Sequence, residues 1–148
     1  MTRGWLLDTN VVSELIKARR ANPAVIHWLD RQNEDALYLS ALTLGEIAKG
    51  IELSESRGQD MHVIRRFLEH ALPERFEDRI LPFDARTALI WGRMLSTLKG
   101  NRDEERKLAV DAQIAATAEV ASLGVCSRNL RDFRRLGVTD LFDPFAVS

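Results

Sequence analysis

Short unbroken apolar runs alternate along this chain with longer segments in which apolar residues recur every three or four positions. The run Gly4-Trp5-Leu6-Leu7 reads as a short buried strand. Residues 10–20 follow with Val11, Leu15 and Ala18 at helical spacing, with Thr9 or Asn10 as the N-cap. Asn22-Pro23 reads as a second cap with proline at the first helical position, and Val25, Ile26 and Leu29 share the helical face behind it. The same reading predicts a strand at 36–40 and a helix at 43–56 stopped by Gly58. It then predicts a helix at 61–72 ended by Pro73, a strand at 79–83, and a helix capped by Asp84 through Leu98. Residues 99–104 read as a polar loop, 107–123 as an alanine-rich helix stopped by Gly124, 125–127 as a strand and 138–142 as a last, edge strand. Strands alternating with helices predict an α/β fold with a mostly parallel sheet, whose site lies at the carboxyl ends of the strands.

Composition narrows the picture. At 148 residues, the chain has the size of one domain, expected to span 1–148. Its many Leu, Ile and Val exclude a disordered chain, and 8 Gly with 4 Pro exclude collagen. The single cysteine, Cys126, excludes an internal disulfide framework and any multi-cysteine zinc site. No apolar run is long enough to cross a membrane, and Asp8 interrupts what a signal peptide would keep apolar, so the expected location is cytoplasmic. The net charge of −1 excludes a histone-like binder. Yet 17 of the 21 basic residues are Arg, the side chain whose fork matches phosphate, although Arg also serves as an ordinary solubilising residue.

Three of the 22 acids stand among apolar or small neighbours. Asp8 closes the first apolar run, where a helix N-cap and a site residue are both natural readings. Glu46 shares a helical face with Leu42, Gly50 and Leu53, which suits either a site residue or a surface Glu paired with Lys49 or Lys17. Asp111 shares a face with Ile114, Ala115 and Ala118, where an unpaired carboxylate is costly and something positive should face it, either a buried Arg or a cation. Clustered carboxylates repel one another, and a hard divalent ion with oxygen ligands reverses that penalty.

The chain resembles PIN-domain nucleases of the VapC type, the toxin halves of bacterial toxin–antitoxin pairs, and is most similar to the FitB-like subgroup. Four stretches carry the resemblance: Leu6-Leu7-Asp8-Thr9-Asn10-Val11-Val12-Ser13-Glu14, then Ser40-Ala41-Leu42-Thr43-Leu44-Gly45-Glu46-Ile47-Ala48-Lys49-Gly50-Ile51, then Asp111-Ala112-Gln113-Ile114-Ala115-Ala116-Thr117-Ala118, and finally Ser127-Arg128-Asn129-Leu130-Arg131-Asp132-Phe133. The resemblance implies a PIN-like three-layer α/β/α sandwich with a short, mostly parallel central sheet flanked by helices. It implies a Mg2+- or Mn2+-dependent endoribonuclease that hydrolyses RNA phosphodiester bonds by metal-activated water, with Asp8, Glu46 and Asp111 as catalytic residues and metal ligands. Thr9 and Asn10 match small polar positions beside the metal, and Ser127 matches a hydroxyl position. The family often carries a fourth acid near Asn129. Whether Asn129 or Asp132 serves there is left open. Arg128, Arg131 and Arg134 are candidate RNA contacts, or else solvated helix ends.

The implied partners are an RNA substrate and a cognate antitoxin, with a toxin homodimer inside a hetero-oligomer. A groove over the second and third helices, with Trp28, Ile51 and Phe67, is a candidate antitoxin surface, although these side chains serve equally well as core. Rival folds fare worse. A receiver domain would need an acid pair beside Asp8 and a late Lys, and a haloacid-dehalogenase phosphatase would need Asp where Asn10 stands. The alternative that keeps the fold is a PIN domain without activity, acting as an RNA- or protein-binding module.

Overall fold

The computed structural model describes residues 4–146. Five parallel strands form its sheet, in the order β3-β2-β1-β4-β5, with β1 (Trp5–Leu7) at the centre, β2 (Leu37–Ser40) and β3 (Ile80–Leu81) on one side, and β4 (Gly124–Cys126) and β5 (Leu141–Phe142) on the other. Successive strand residues face opposite ways, so a central strand covered on both faces is apolar throughout. Leu6 and Leu7 are both fully buried in this way, in different cores.

Leu7, Val11, Val12, Leu39, Ile51 and Phe76 belong to the core under α1 (Thr9–Ile16), α2 (Pro23–Asp30), α3 (Ala41–Ser56) and a helical arm of α4 (His62–Arg66) and α5 (Leu72–Phe76). Leu6, Val125, Ile114 and Phe133 belong to the core under α6 (Ala85–Ser96), α7 (Arg102–Ala121) and α8 (Leu130–Arg135). The expected three-layer α/β/α sandwich is therefore observed, with a sheet that is wholly rather than mostly parallel. Among the described residues no helix is long and apolar enough to cross a membrane.

Several boundaries differ from the sequence reading. The cap of α1 is Asp8, whose side chain accepts from Thr9 N, rather than Thr9 or Asn10; α1 ends at Ile16, and a 3-10 turn, Ala18–Arg20, follows it. Pro73 does not end the helical arm. It lacks the N–H that would bond a carbonyl four residues back, and a π turn over Phe67–Ala71, with Leu72 N–H on Phe67 O, carries the chain into α5. Helix α7 begins at Arg102, because Asn101 Oδ1 accepts from Glu104 N and Asp103, Glu104 and Glu105 favour a helix N-terminus. It is stopped by the left-handed Ser122, not by Gly124. Gly124 instead opens β4, where a Cβ would lie 2.6 Å from the Trp5 ring. The strands expected at 79–83 and 138–142 shorten to two residues each, and α8 was not foreseen.

The three groove candidates divide between the two roles open to them, with Trp28 and Phe67 half-buried at the edge of the core. Ile51 is core, Trp28 stacks on Phe142 with ring centroids 5.0 Å apart, and Phe67 packs against the same cluster.

Arg79 ties the helical arm to the sheet. Its Nη1 donates to the carbonyls of Glu34 (2.5 Å) and Leu37 (2.6 Å), its Nη2 donates to Arg75 O (2.7 Å), and its guanidinium lies over the Phe76 ring. Arg79→Ala is expected to lower unfolding free energy by about 2 kcal/mol, the range for charge-assisted hydrogen bonds in a partly buried setting, as read by urea denaturation. An unchanged midpoint would show that water replaces these bonds without loss.

Candidate functional site

The carboxyl ends of β1 and β4 lie side by side, since Leu7 pairs with Cys126. The next residues, Asp8 and Ser127, therefore meet. The Ser127 hydroxyl is fully buried and donates to Asp8 Oδ2 at 2.7 Å. Asp8 Oδ1 accepts from Thr9 N (2.9 Å), and the Asn10 amide donates to Asp8 Oδ2 (3.3 Å) and Ser127 Oγ (3.2 Å). Asn10 Oδ1 accepts from Arg128 N, and Ser127 Oγ accepts from Asn129 N. Asp8 is thus held from both sides while only 4% of it is exposed.

Glu46 reaches the same place from α3. Thr9 Oγ1 donates to Glu46 Oε1 at 2.9 Å and lies 3.3 Å from the buried Thr43 Oγ1. The core side of α3 is Thr43, Ile47 and Ile51, and Glu46 is half-buried beside it. The face foreseen for it is more open than expected, with Leu53 46% exposed and Gly50 exposed. Asp111 arrives from α7, half-buried one turn from the core residues Ile114 and Ala115. Asp8, Thr9, Asn10, Glu46, Val110, Asp111 and Asn129 line one open pocket of about 250 Å³.

Among the described residues, Asp8, Glu46 and Asp111 form no ion pair; Lys17, one of the partners considered for Glu46, is paired with Glu14 instead. Burial raises Asp8 above its ordinary value, against the Ser127 and Thr9 hydrogen bonds, and Glu46 adds repulsion. Burial first, then the charges of Asp8, Asp132 and Glu46, push Asp111 up to about 7. Among the described residues no buried Arg faces Asp111, and the charges that raise it are those of acids. Among the described residues no group of three or more His, Cys, Asp or Glu is arranged to hold a metal ion by itself. The donor set nevertheless suits a hard cation that keeps several waters, because it offers oxygen donors, uncompensated negative charge and an open pocket.

Asn129 lines this pocket, whereas Asp132 sits on α8 with Oδ1 4.0 Å from Lys107 Nζ and lines a neighbouring groove with Arg131 and Arg134. Arg128 leaves in another direction, with its guanidinium 3.8 Å above the Phe145 ring. Buried Glu14 lies near it. Burial works to raise that carboxyl, but hydrogen bonds from Lys17 and Asn22 and the charges of Lys17 and Arg128 hold it below its ordinary value. The sequence reading missed Thr43 and Lys107. Thr43 stands one helical turn before Glu46 and Lys107 one turn before Asp111, a spacing that could have flagged both.

A family profile described as PIN domain matches residues 5–138. The protein named Toxin FitB from Neisseria gonorrhoeae is 37% identical over 140 residues, which cover 95% of this chain and 97% of that one. A VapC ribonuclease of Sinorhizobium fredii is 32% identical over 95% of this chain and 96% of its own. The solved structure of FitAB bound to a DNA fragment superposes with a TM-score of 0.79 at 31% identity, covering 97% of each chain.

The raised Asp111 makes a pH prediction. A carboxyl with a higher pKa folded than unfolded costs stability as pH rises from the unfolded value, near 4, through the folded value, about 7. In EDTA, Asp111→Asn is expected to raise the melting temperature at pH 8 by several degrees, with the gain shrinking toward pH 4. A gain that is the same at both pH values would detach the effect from the Asp111 charge.

Proposed function

This chain belongs to the PIN-domain family, and from that premise we propose that it is a divalent-metal-dependent endoribonuclease, the toxin of a toxin–antitoxin pair. One observation carries the reading: Asp8, Glu46 and Asp111, brought by three separate elements, line one pocket without any cation paired to them among the described residues. The names of the relatives, a toxin and a ribonuclease, point the same way. Asp8 and Asp111, with Glu46, would hold Mg2+ or Mn2+. Bound there, the ion would neutralise charge at a scissile phosphate and lower the pKa of water.

The chain's own groups do the positioning. Ser127 and Asn10 fix the Asp8 carboxylate, and Thr9 fixes that of Glu46. One of the three carboxylates would also accept the proton of the attacking water. The route leaves a 5′-phosphate and a 3′-hydroxyl and does not use the RNA 2′-hydroxyl. The partner is a cognate antitoxin, with the toxin as a homodimer inside the complex. A binding module without activity is the second reading, favoured by uncharged Asn129 standing in the pocket.

Metal-dependent cleavage separates the two. With a mixed RNA pool, cleavage is expected in Mn2+ or Mg2+ and not in EDTA, and Asp8→Asn or Asp111→Asn should slow it about 100-fold or more. Cleavage that survives both EDTA and these changes would place the activity elsewhere. Well-folded protein, free of antitoxin, that leaves RNA intact would select the binding module.

Asn129→Asp adds a carboxylate to the pocket wall. It is expected to tighten Mn2+ binding at least about threefold in a calorimetric titration, a modest share of the Coulomb attraction available near a surface. Unchanged affinity would put position 129 outside the ion's surroundings.

A further inference from the structure

Beside the carboxylate pocket runs a second, larger groove of about 490 Å³ between the start of α7 and α8. Its lining holds four cations, Lys107, Arg131, Arg134 and Arg135, against two acids, Glu104 and Asp132. The acids do not consume these charges evenly. Arg135 presents Nε and Nη2 to the two oxygens of Glu104, each at 3.0 Å, so its fork is filled. Lys107 and Asp132 meet only at 4.0 Å, with the Lys107 side chain 72% exposed. Arg131 and Arg134 are exposed and enter no ion pair among the described residues.

Their positions run toward the carboxylates. Arg131 and Arg134 are three apart on α8 and so share a face, and Lys107 lies four residues before Asp111 on α7. Asp132, in the groove lining, is close enough for its charge to act on Asp111. Arg128 lies outside this set. Its guanidinium covers the Phe145 ring, its backbone N–H is bonded to Asn10, and it is absent from the groove lining.

Resting on the ribonuclease reading above, we infer that this groove carries the RNA backbone to the site, with Arg131, Arg134 and Lys107 as its phosphate contacts and Arg128 as a structural residue. The physical need is plain. A polyanion brought against Asp8, Glu46 and Asp111 meets repulsion, and cations flanking the pocket offset it. The open forks of Arg131 and Arg134 match phosphate geometry. The groove therefore gives the bound strand a defined side of entry, from α8 across α7 into the pocket.

The test is binding of a labelled single-stranded RNA oligonucleotide, followed by fluorescence anisotropy in EDTA across a salt series. Wild-type protein is compared with Arg131→Gln/Arg134→Gln, Lys107→Gln and Arg128→Gln, with matched melting curves as the folding control. The double variant is expected to weaken binding about tenfold or more and to reduce the slope of log affinity against log salt by about 1.4, at roughly 0.7 per phosphate contact. Lys107→Gln should reduce the slope by about 0.7 and Arg128→Gln should leave it unchanged. The inference is overturned if the double variant binds like wild type, or if Arg128→Gln loses as much as it does. If the groove variants keep RNA and lose the cognate antitoxin, the groove is a protein-docking surface and the inference falls. Wild-type protein that cleaves RNA while the groove variants cleave and bind normally removes this inference alone. Wild-type protein that neither binds nor cleaves RNA removes the ribonuclease reading with it.

Discussion

Everything at this site depends on keeping a nearly buried carboxylate, Asp8, at the end of the central strand. An isolated carboxylate there would be expensive. Its cost is offset by the hydroxyl of Ser127, the amide of Asn10 and the backbone N–H of Thr9, all supplied by segments whose positions the sheet dictates. Parallel pairing of Leu7 with Cys126 brings the next residues of β1 and β4 together, and α1 begins at once, so its N-terminal dipole also favours the negative charge. Placing β1 in the middle of the sheet, buried on both faces, is what makes that junction rigid. The two cores on either side hold β1 in place beneath Asp8.

The capping position of Asp8 also places it in the pocket wall. As N-cap it spends Oδ1 on Thr9 N, and Oδ2 carries the bonds to Ser127 and Asn10. The neighbouring residue extends the pattern: Thr9 starts α1 with its backbone and holds Glu46 with its hydroxyl. Local secondary-structure chemistry therefore orients two of the three acids. Asp111 is different, since it sits in a helix interior with no hydrogen bond that fixes it among the described residues, and burial together with its acidic neighbours pushes its carboxyl up to about 7.

The strand-helix alternation, the parallel sheet and the three anomalous acids were legible in the sequence because each rests on local rules: buried runs, periodicity, and the cost of a carboxylate among apolar residues. Features that failed to show depend on cancellations that local rules do not see. Pro73 should end a helix, yet a π turn absorbs its missing donor. Residues 99–104 look like a loop until Asn101 is recognised as a cap for the acidic first turn of α7. Ile51 suits a partner surface or the core equally by sequence, and it is the sheet that buries it, while Trp28 stacks on Phe142 and stays half-buried. Asn129 and Asp132, undecided from sequence, separate in space, one into the carboxylate pocket and the other into the groove beside it.

Charge teaches the same lesson at larger scale. A net charge of −1 suggests an electrostatically bland molecule, and four arginines within eight residues of one another suggest one basic patch. Neither description survives folding. Phe145 takes the face of Arg128, Glu104 fills the fork of Arg135, and Arg131 and Arg134 are left together beside a pocket lined by uncompensated acids. The molecule is balanced in total and strongly polarised in place, with opposite signs on adjoining surfaces. The negative surface suits a hard cation and the positive one a phosphate chain. A metal-dependent reaction on a polyanion needs both within reach of the same bond.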